Sequence, residues 1–161
     1  MIVIGGGVIG CELSQMFARA GVRVTICCRS RLLPGMEGEI SEHLARYLED
    51  EGIRVLSGLD YHSVTQENGT VTLTYQQDGN RRTLAAETLL LAAGRRPNTE
   101  GLGLGEAGVA VNAKGGIEVD ITMRSSNPMI YAAGDVTGRD MVVYMAAYGA
   151  KLAALNAIGG E

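Results

Sequence analysis

The chain opens on an unbroken apolar run, Ile2-Val3-Ile4, that stops at a glycine-rich turn, after which apolar residues take up helical spacing. Leu13, Met16, Phe17 and Ala20 fall at i, i+3, i+4 and i+7, which predicts one buried helix face, and Gly21 supplies its stop. Val22, Val24 and Ile26 alternate with polar neighbours, so Val22 to Cys28 reads as a second strand. After a loop from Leu32 to Gly38, Ile40, Leu44, Tyr47 and Leu48 predict one face of a second helix that Gly52 closes. Ile53 and Val55 begin a third strand.

The rhythm then changes. Asn68-Gly69 is a hairpin signal between Tyr61–Gln66 and Thr70–Gln76, and Asp78-Gly79-Asn80 turns again into Arg81–Leu84, a small antiparallel meander. Glu87 to Ala93 is apolar enough to read as a fully buried parallel strand ending at Gly94. Arg95 to Gly116 lacks sustained periodicity and reads as a connection with one helical turn near Gly105–Gly108. Ile117 to Asp120 and Met129 to Ala133 read as two short strands, and Met141 to Ile158 as a strongly apolar helix broken by Gly149. The fold class expected is α/β, with a central parallel sheet and an antiparallel β-meander.

Composition narrows the partners. The 161 residues are 46% hydrophobic, with a net charge of −4 and no basic stripe, which argues against a nucleic-acid partner. No apolar run approaches the length of a membrane span and no signal-peptide pattern is visible, so a cytoplasmic protein without a membrane partner is expected. Cys11, Cys27 and Cys28 have neither zinc spacing nor a C-x-x-C arrangement and read as packed structural thiols; no metal site is assigned. His43 and His62 have no nucleophile or carboxylate at a matching spacing, and no catalytic residue is assigned.

The chemistry lies in the first turn. Gly5, Gly7 and Gly10 form G-x-G-x-x-G between a strand and a helix: the first glycine for the tight turn, the second for backbone approach to a pyrophosphate, the third for close helix packing. The βαβ unit around it runs about 28 residues, near the ~30 of a dinucleotide motif. At the end of the second strand, where NAD-binding proteins carry an acid for the ribose hydroxyls, stands Cys28, followed by Arg29 and Arg31. Guanidinium forks suit a 2′-phosphate in charge and geometry, so NADPH is expected over NADH, against the plainer reading of two solvated arginines. Glu12 has two readings: a first-turn carboxylate favoured by the helix dipole, or a contact to the nicotinamide end of the cofactor.

Four motifs stand in order: GGGVIGCE at Gly5–Glu12, CRSR at Cys28–Arg31, LLLAAGRRPNT at Leu89–Thr99 and SNPMIYAAGDV at Ser126–Val136. Over essentially the whole chain they resemble the pyridine nucleotide-disulfide oxidoreductases, a family of FAD-dependent flavoproteins. Val143 to Ala147 (VYMAA) and the NAIGG ending resemble its mercuric reductase branch. The resemblance implies that residues 1–94 match the NAD(P)H-binding Rossmann domain and residues 95–161 the C-terminal segment of a split FAD-binding domain. It implies NADPH contacts at Gly5, Gly7, Val8, Ile9, Gly10, Glu12, Arg29, Arg31, Ala93 and Gly94, and FAD contacts at Gly134 and Asp135, with Asp135 on the ribityl chain.

The family's redox-active C-x-x-x-x-C pair does not occur among these residues, and Cys11, Cys27 and Cys28 match none of its catalytic thiols. The expectation is therefore the NADPH-binding portion of an FAD-dependent disulfide oxidoreductase, inactive by itself, whose partners are the FAD and dimerisation domains of the parent enzyme. The apolar tail predicts self-association into a homo-oligomer. The alternatives are a stand-alone nucleotide-binding or interaction module, the same fragment of a dihydrolipoamide dehydrogenase-like enzyme, and a single-domain NADP-dependent dehydrogenase.

Overall fold

The computed structural model describes residues 1–159. The chain divides into two compact units, one over Met1–Gly94 and one starting at Arg95.

The first unit is a three-layer α/β structure. Four parallel strands, β1 (Ile2–Ile4), β2 (Thr25–Cys27), β3 (Arg54–Leu56) and β7 (Leu89–Leu91), lie in the order β3-β2-β1-β7. Helices α1 (Val8–Arg19) and α2 (Gly38–Asp50) join the first three. The meander β4 (Asp60–Glu67), β5 (Thr70–Gln77) and β6 (Asn80–Ala86) forms a separate antiparallel sheet. Strand alternation decides which layer each side chain serves. Val3, Ile26 and Cys28 pack with Cys11, Leu48 and Ile53 on the helix side. Ile2, Ile4 and Cys27 pack with Leu56, Leu73 and Tyr75 on the meander side. The adjacent thiols Cys27 and Cys28 thus enter opposite cores, and all three cysteines are free and buried. Burying such side chains contributes about 1.5–3 kcal/mol each, which is why the short, all-apolar β1 can sit at the centre of the sheet.

The local ends explain where the strand predictions overreach. After α1, Gly21 takes a φ of +88°, Gly21 N–H donates to Ala18 O at 2.9 Å and Val22 N–H to Phe17 O at 3.0 Å. This paired closure spends Val22 on capping the helix, so the second strand starts at Thr25 rather than Val22. The same closure ends α2, with Gly52 at φ +82° and Ile53 N–H donating to Leu48 O at 3.0 Å. The two hairpin turns have positive φ at both central residues, Asn68 and Gly69, Asp78 and Gly79, as two-residue turns between twisted strands require.

Three further expectations are corrected. The run Glu87 to Ala93 is not fully buried: only Leu89–Leu91 is strand, it forms the sheet edge, and Leu91 is 70% exposed. The buried faces of both helices are also rotated from the predicted ones. Gly10, Cys11 and Ser14 face inward on α1, and Ser41 and Leu48 on α2, while Met16, Ile40 and Tyr47 are exposed.

The second unit has a small core of Val109, Ile117 and Ala132, with Leu104, Ile130 and Val136 against it. Ile117–Asp120 and Met129–Ala133 do not form strands; only isolated bridges, Val111 to Ile117 and Arg124 to Tyr131, join these segments. Turn-forming side chains hold them instead. Asp120 Oδ1 accepts from Thr122 N, Thr122 Oγ1 and Arg124 N at 2.6–3.0 Å, which keeps its carboxyl below the usual value. A 3₁₀ turn at Gly134–Thr137 precedes α3 (Val143–Ala157), which runs unbroken through Gly149. Gly149 is buried where a Cβ would stand 3.3 Å from Ala133 Cβ, so it serves close packing rather than a break. In the NAIGG ending, Gly160 lies outside the described residues, as does Glu161.

Candidate nucleotide site

The carboxyl ends of β1, β2 and β7 surround a cavity of about 270 Å³. β1 lies between β2 and β7, so the chain leaves it toward one side and returns on the other, and the crevice beyond the strand ends opens at this switch point. One wall is the turn Gly5-Gly6-Gly7, a second is Cys28 to Arg31, and the third is Ala92 to Gly94.

The three fingerprint glycines are needed for three different reasons. Gly5 has a φ of +121°, and a Cβ there would collide with the Ala92 carbonyl. At Gly10 a Cβ would collide with the Gly5 carbonyl, so this glycine brings α1 against the turn. Gly7 has nothing within 4 Å of the place a Cβ would occupy. It is the N-cap of α1 and makes no side-chain cap bond, so the opening amides of the helix are left for a ligand. This is a cradle with one open position, and it fits a pyrophosphate: close-packed behind, bare in front.

At the second wall, Cys28 Sγ turns away to Ser57 Oγ at 3.4 Å and Leu56 O at 3.5 Å. Arg29 is exposed, and Arg31 Nη2 donates to Met36 O at 2.8 Å, which fixes its guanidinium at the rim. Two cations and no carboxylate therefore line this end. Burial is the main cause that raises all three thiols, Cys11 to about 11 and Cys27 to about 12, so they stay protonated at neutral pH.

Among the sequence-predicted residues, Gly5, Gly7, Arg29, Arg31, Ala93 and Gly94 meet at the cavity. Val8 and Ile9 form the exposed opening of α1, and Gly10 is buried behind it. Glu12 faces a different hollow, shared with Leu33, Leu44 and Leu48, and because α1 begins at Val8 it falls beyond the first turn, where the dipole argument does not reach. Ser30, inside the Cys28–Arg31 motif, also lines the cavity, as do Pro34 and Tyr61, which no motif names. In the second unit, Gly134 borders a cleft of about 110 Å³ with Met123, Arg139 and Tyr148, while Asp135 Oδ2 accepts from Arg95 Nη1 at 2.7 Å. Arg95 Nη2 also donates to the Met141 carbonyl. Among the described residues no group of three or more His, Cys, Asp or Glu could hold a metal ion, and no helix is long and apolar enough to cross a membrane.

Residues 1–152 match the family model described as pyridine nucleotide-disulphide oxidoreductase. The chain belongs to that family. It is a family of oxidoreductases that depend on FAD and a pyridine nucleotide. A mercuric reductase of Bacillus cereus is 43% identical over 161 residues, 99% of this chain and 26% of that protein. The chain thus spans about a quarter of that relative's length. The HOCl-induced flavoprotein disulfide reductase RclA from Escherichia coli, as its Cu(II) complex, superposes with a TM-score of 0.88 at 30% identity, over 99% of this chain and 35% of that one. An engineered water-forming NADPH oxidase bound to NADPH superposes with a TM-score of 0.86 at 27% identity, over 99% of this chain and 37% of that one. Its substitutions include three in succession, Asp to Ala, Ala to Arg and Met to Ser.

Proposed function

We propose that residues 1–94 are the NADPH-binding domain, and residues 95–161 the second segment of the FAD-binding domain, of a mercuric reductase-like flavoprotein. The observation that carries this reading is the second wall of the cavity, where Arg29 and Arg31 stand and Cys28 occupies the acid's place with its thiol turned inward. A carboxylate there would repel a 2′-phosphate; a small residue followed by arginine admits one. The order small residue, Arg, Ser at Cys28–Ser30 is also the order that the engineered NADPH oxidase carries at its three successive substitutions.

In this reading the amides after Gly7, at Val8, Ile9 and Gly10, take the pyrophosphate, with Gly5 and Gly10 keeping the turn tight enough to present them. Arg29 and Arg31 take the 2′-phosphate, and Ala93 and Gly94 close the opposite wall. Gly134 and Asp135 would hold FAD, Arg95 keeping the Asp135 carboxylate in place. Bound FAD supplies the two-electron acceptor for the hydride of NADPH. The thiols that would pass those electrons on are not Cys11, Cys27 or Cys28, which are buried and protonated. The chain by itself therefore binds nucleotide and reduces nothing.

Titration of the chain with NADPH and NADH, followed by nucleotide fluorescence, tests the assignment. Charge-assisted bonds are worth roughly 1.5–3 kcal/mol, so Arg29→Ala with Arg31→Ala should weaken NADPH at least tenfold and NADH little. Equal losses for the two nucleotides would overturn it.

A further inference from the structure

Tyr61 belongs to the meander, yet its side chain lies on the wall of the cavity beside Arg29 and Ser30. A β-bulge puts it there. Tyr61 pairs with Tyr75 and Ser63 with Thr74, which leaves His62 as an extra residue in β4. Beyond the bulge, Val64 opposes Leu73 and Gln66 opposes Val71, whereas before it Tyr61 opposes Tyr75. Opposed residues share a sheet face and alternation has a period of two, so a straight strand with Val64 opposite Leu73 would turn Tyr61 to the other face. The extra residue reverses the parity, and Tyr61 packs against the cluster of Ile4, Cys27, Leu56 and Tyr75.

The hydroxyl then finds a specific acceptor. It donates to the Cys27 carbonyl at 2.7 Å, and the same oxygen accepts the Gly5 N–H at 2.9 Å. One carbonyl thus links the glycine turn, the start of the arginine loop and the meander. Burial, with Cys27 and Cys28 beside it, pushes the phenol above its ordinary value, so it remains a donor at neutral pH.

We propose that Tyr61 is a specificity-determining positioning residue: its hydroxyl holds the Cys28–Arg31 loop in register with the glycine turn, so that Arg29 and Arg31 are set for a 2′-phosphate before the nucleotide arrives. The proposal rests on the NADPH reading above. Preorganisation lowers the cost of ordering at binding, and only a ligand that engages the arginines collects the benefit. NADH, without the 2′-phosphate, does not.

The test is a double-mutant cycle on the full chain, with NADPH and NADH affinities measured for wild type, Tyr61→Phe, the Arg29→Ala/Arg31→Ala pair, and the triple variant. Phe keeps the ring in the core and removes the hydrogen bond alone. The expected result is a roughly three- to tenfold loss for NADPH and less than about twofold for NADH, with no further NADPH-selective loss when Phe is added to the arginine pair. A Tyr61→Phe chain that keeps the wild-type ratio of affinities overturns the proposal and leaves the NADPH assignment standing. Equal weakening of both nucleotides does the same, because it marks a merely structural role. A wild-type chain with no preference for NADPH overturns the proposal together with the reading beneath it.

Discussion

At the scale of the residue, Gly7 and Gly10 separate folding from binding. Gly7 has a φ of −78° and open space in front of it, so Gly7→Ala meets no clash, and the change at an N-cap costs within about 1 kcal/mol. The added methyl nevertheless stands where a pyrophosphate must approach. We expect a thermal unfolding curve close to wild type and an NADPH affinity at least about tenfold weaker. Gly10→Ala has the opposite profile. Its methyl meets the Gly5 carbonyl, α1 must move off the sheet, and the overpacking cost of ~1–3 kcal/mol or more falls on stability, with binding lost as a consequence. Matched unfolding curves and NADPH titrations of the two variants check the contrast; a Gly7→Ala chain that binds normally removes Gly7 from the site.

At the scale of the element, His62 is what aims Tyr61. The Asn68-Gly69 turn fixes the pairing of β4 with β5 at one end, so deleting His62 should turn over the other end and carry Tyr61 off the core face. The expected outcome is a loss of NADPH preference like that of Tyr61→Phe, with greater loss of stability because the ring leaves the core; affinity ratios and thermal unfolding read the two effects apart. No residue type announces this bulge, which is why the sequence names the glycines and arginines of the site but not Tyr61. The fold was legible where one signal sufficed: the glycine turn after β1, the two hairpin turns, and the glycines that stop α1 and α2. It was misread where small polar residues occupy close-packed positions. Ser14 is fully buried, and Ser41 Oγ donates to Leu32 O at 2.6 Å, so hydropathy placed the helix faces one stripe away from where they pack. Apolar runs misled in the other direction: Leu91 and the exposed Val143, Tyr144 and Tyr148 of α3 are as hydrophobic as core residues.

At the scale of the whole molecule, the buried thiols set an alkaline limit. Cys11 and Cys27 hold their protons to about 11 and 12 in the folded chain, against an ordinary 9.0, mainly because burial disfavours the thiolate. The unfolded chain releases these protons first, so the thiols' contribution is complete below about pH 9 and is lost as pH climbs from there toward the folded values. Denaturant midpoints should be level from neutral pH to about pH 9 and then fall, and a Cys11→Ala/Cys27→Ala chain should fall less steeply. A longer-range property follows from the place of β1. One of its neighbours, β2, arrives after a single helix, but the other, β7, arrives only after the whole meander, with Ile2 opposite Leu89. Closing so long a loop costs entropy that is repaid only when the last strand docks. A chain emerging from synthesis has therefore made its glycine turn and its arginine loop well before Ala92 to Gly94 exist, and the nucleotide cavity is the last part of its unit to be completed.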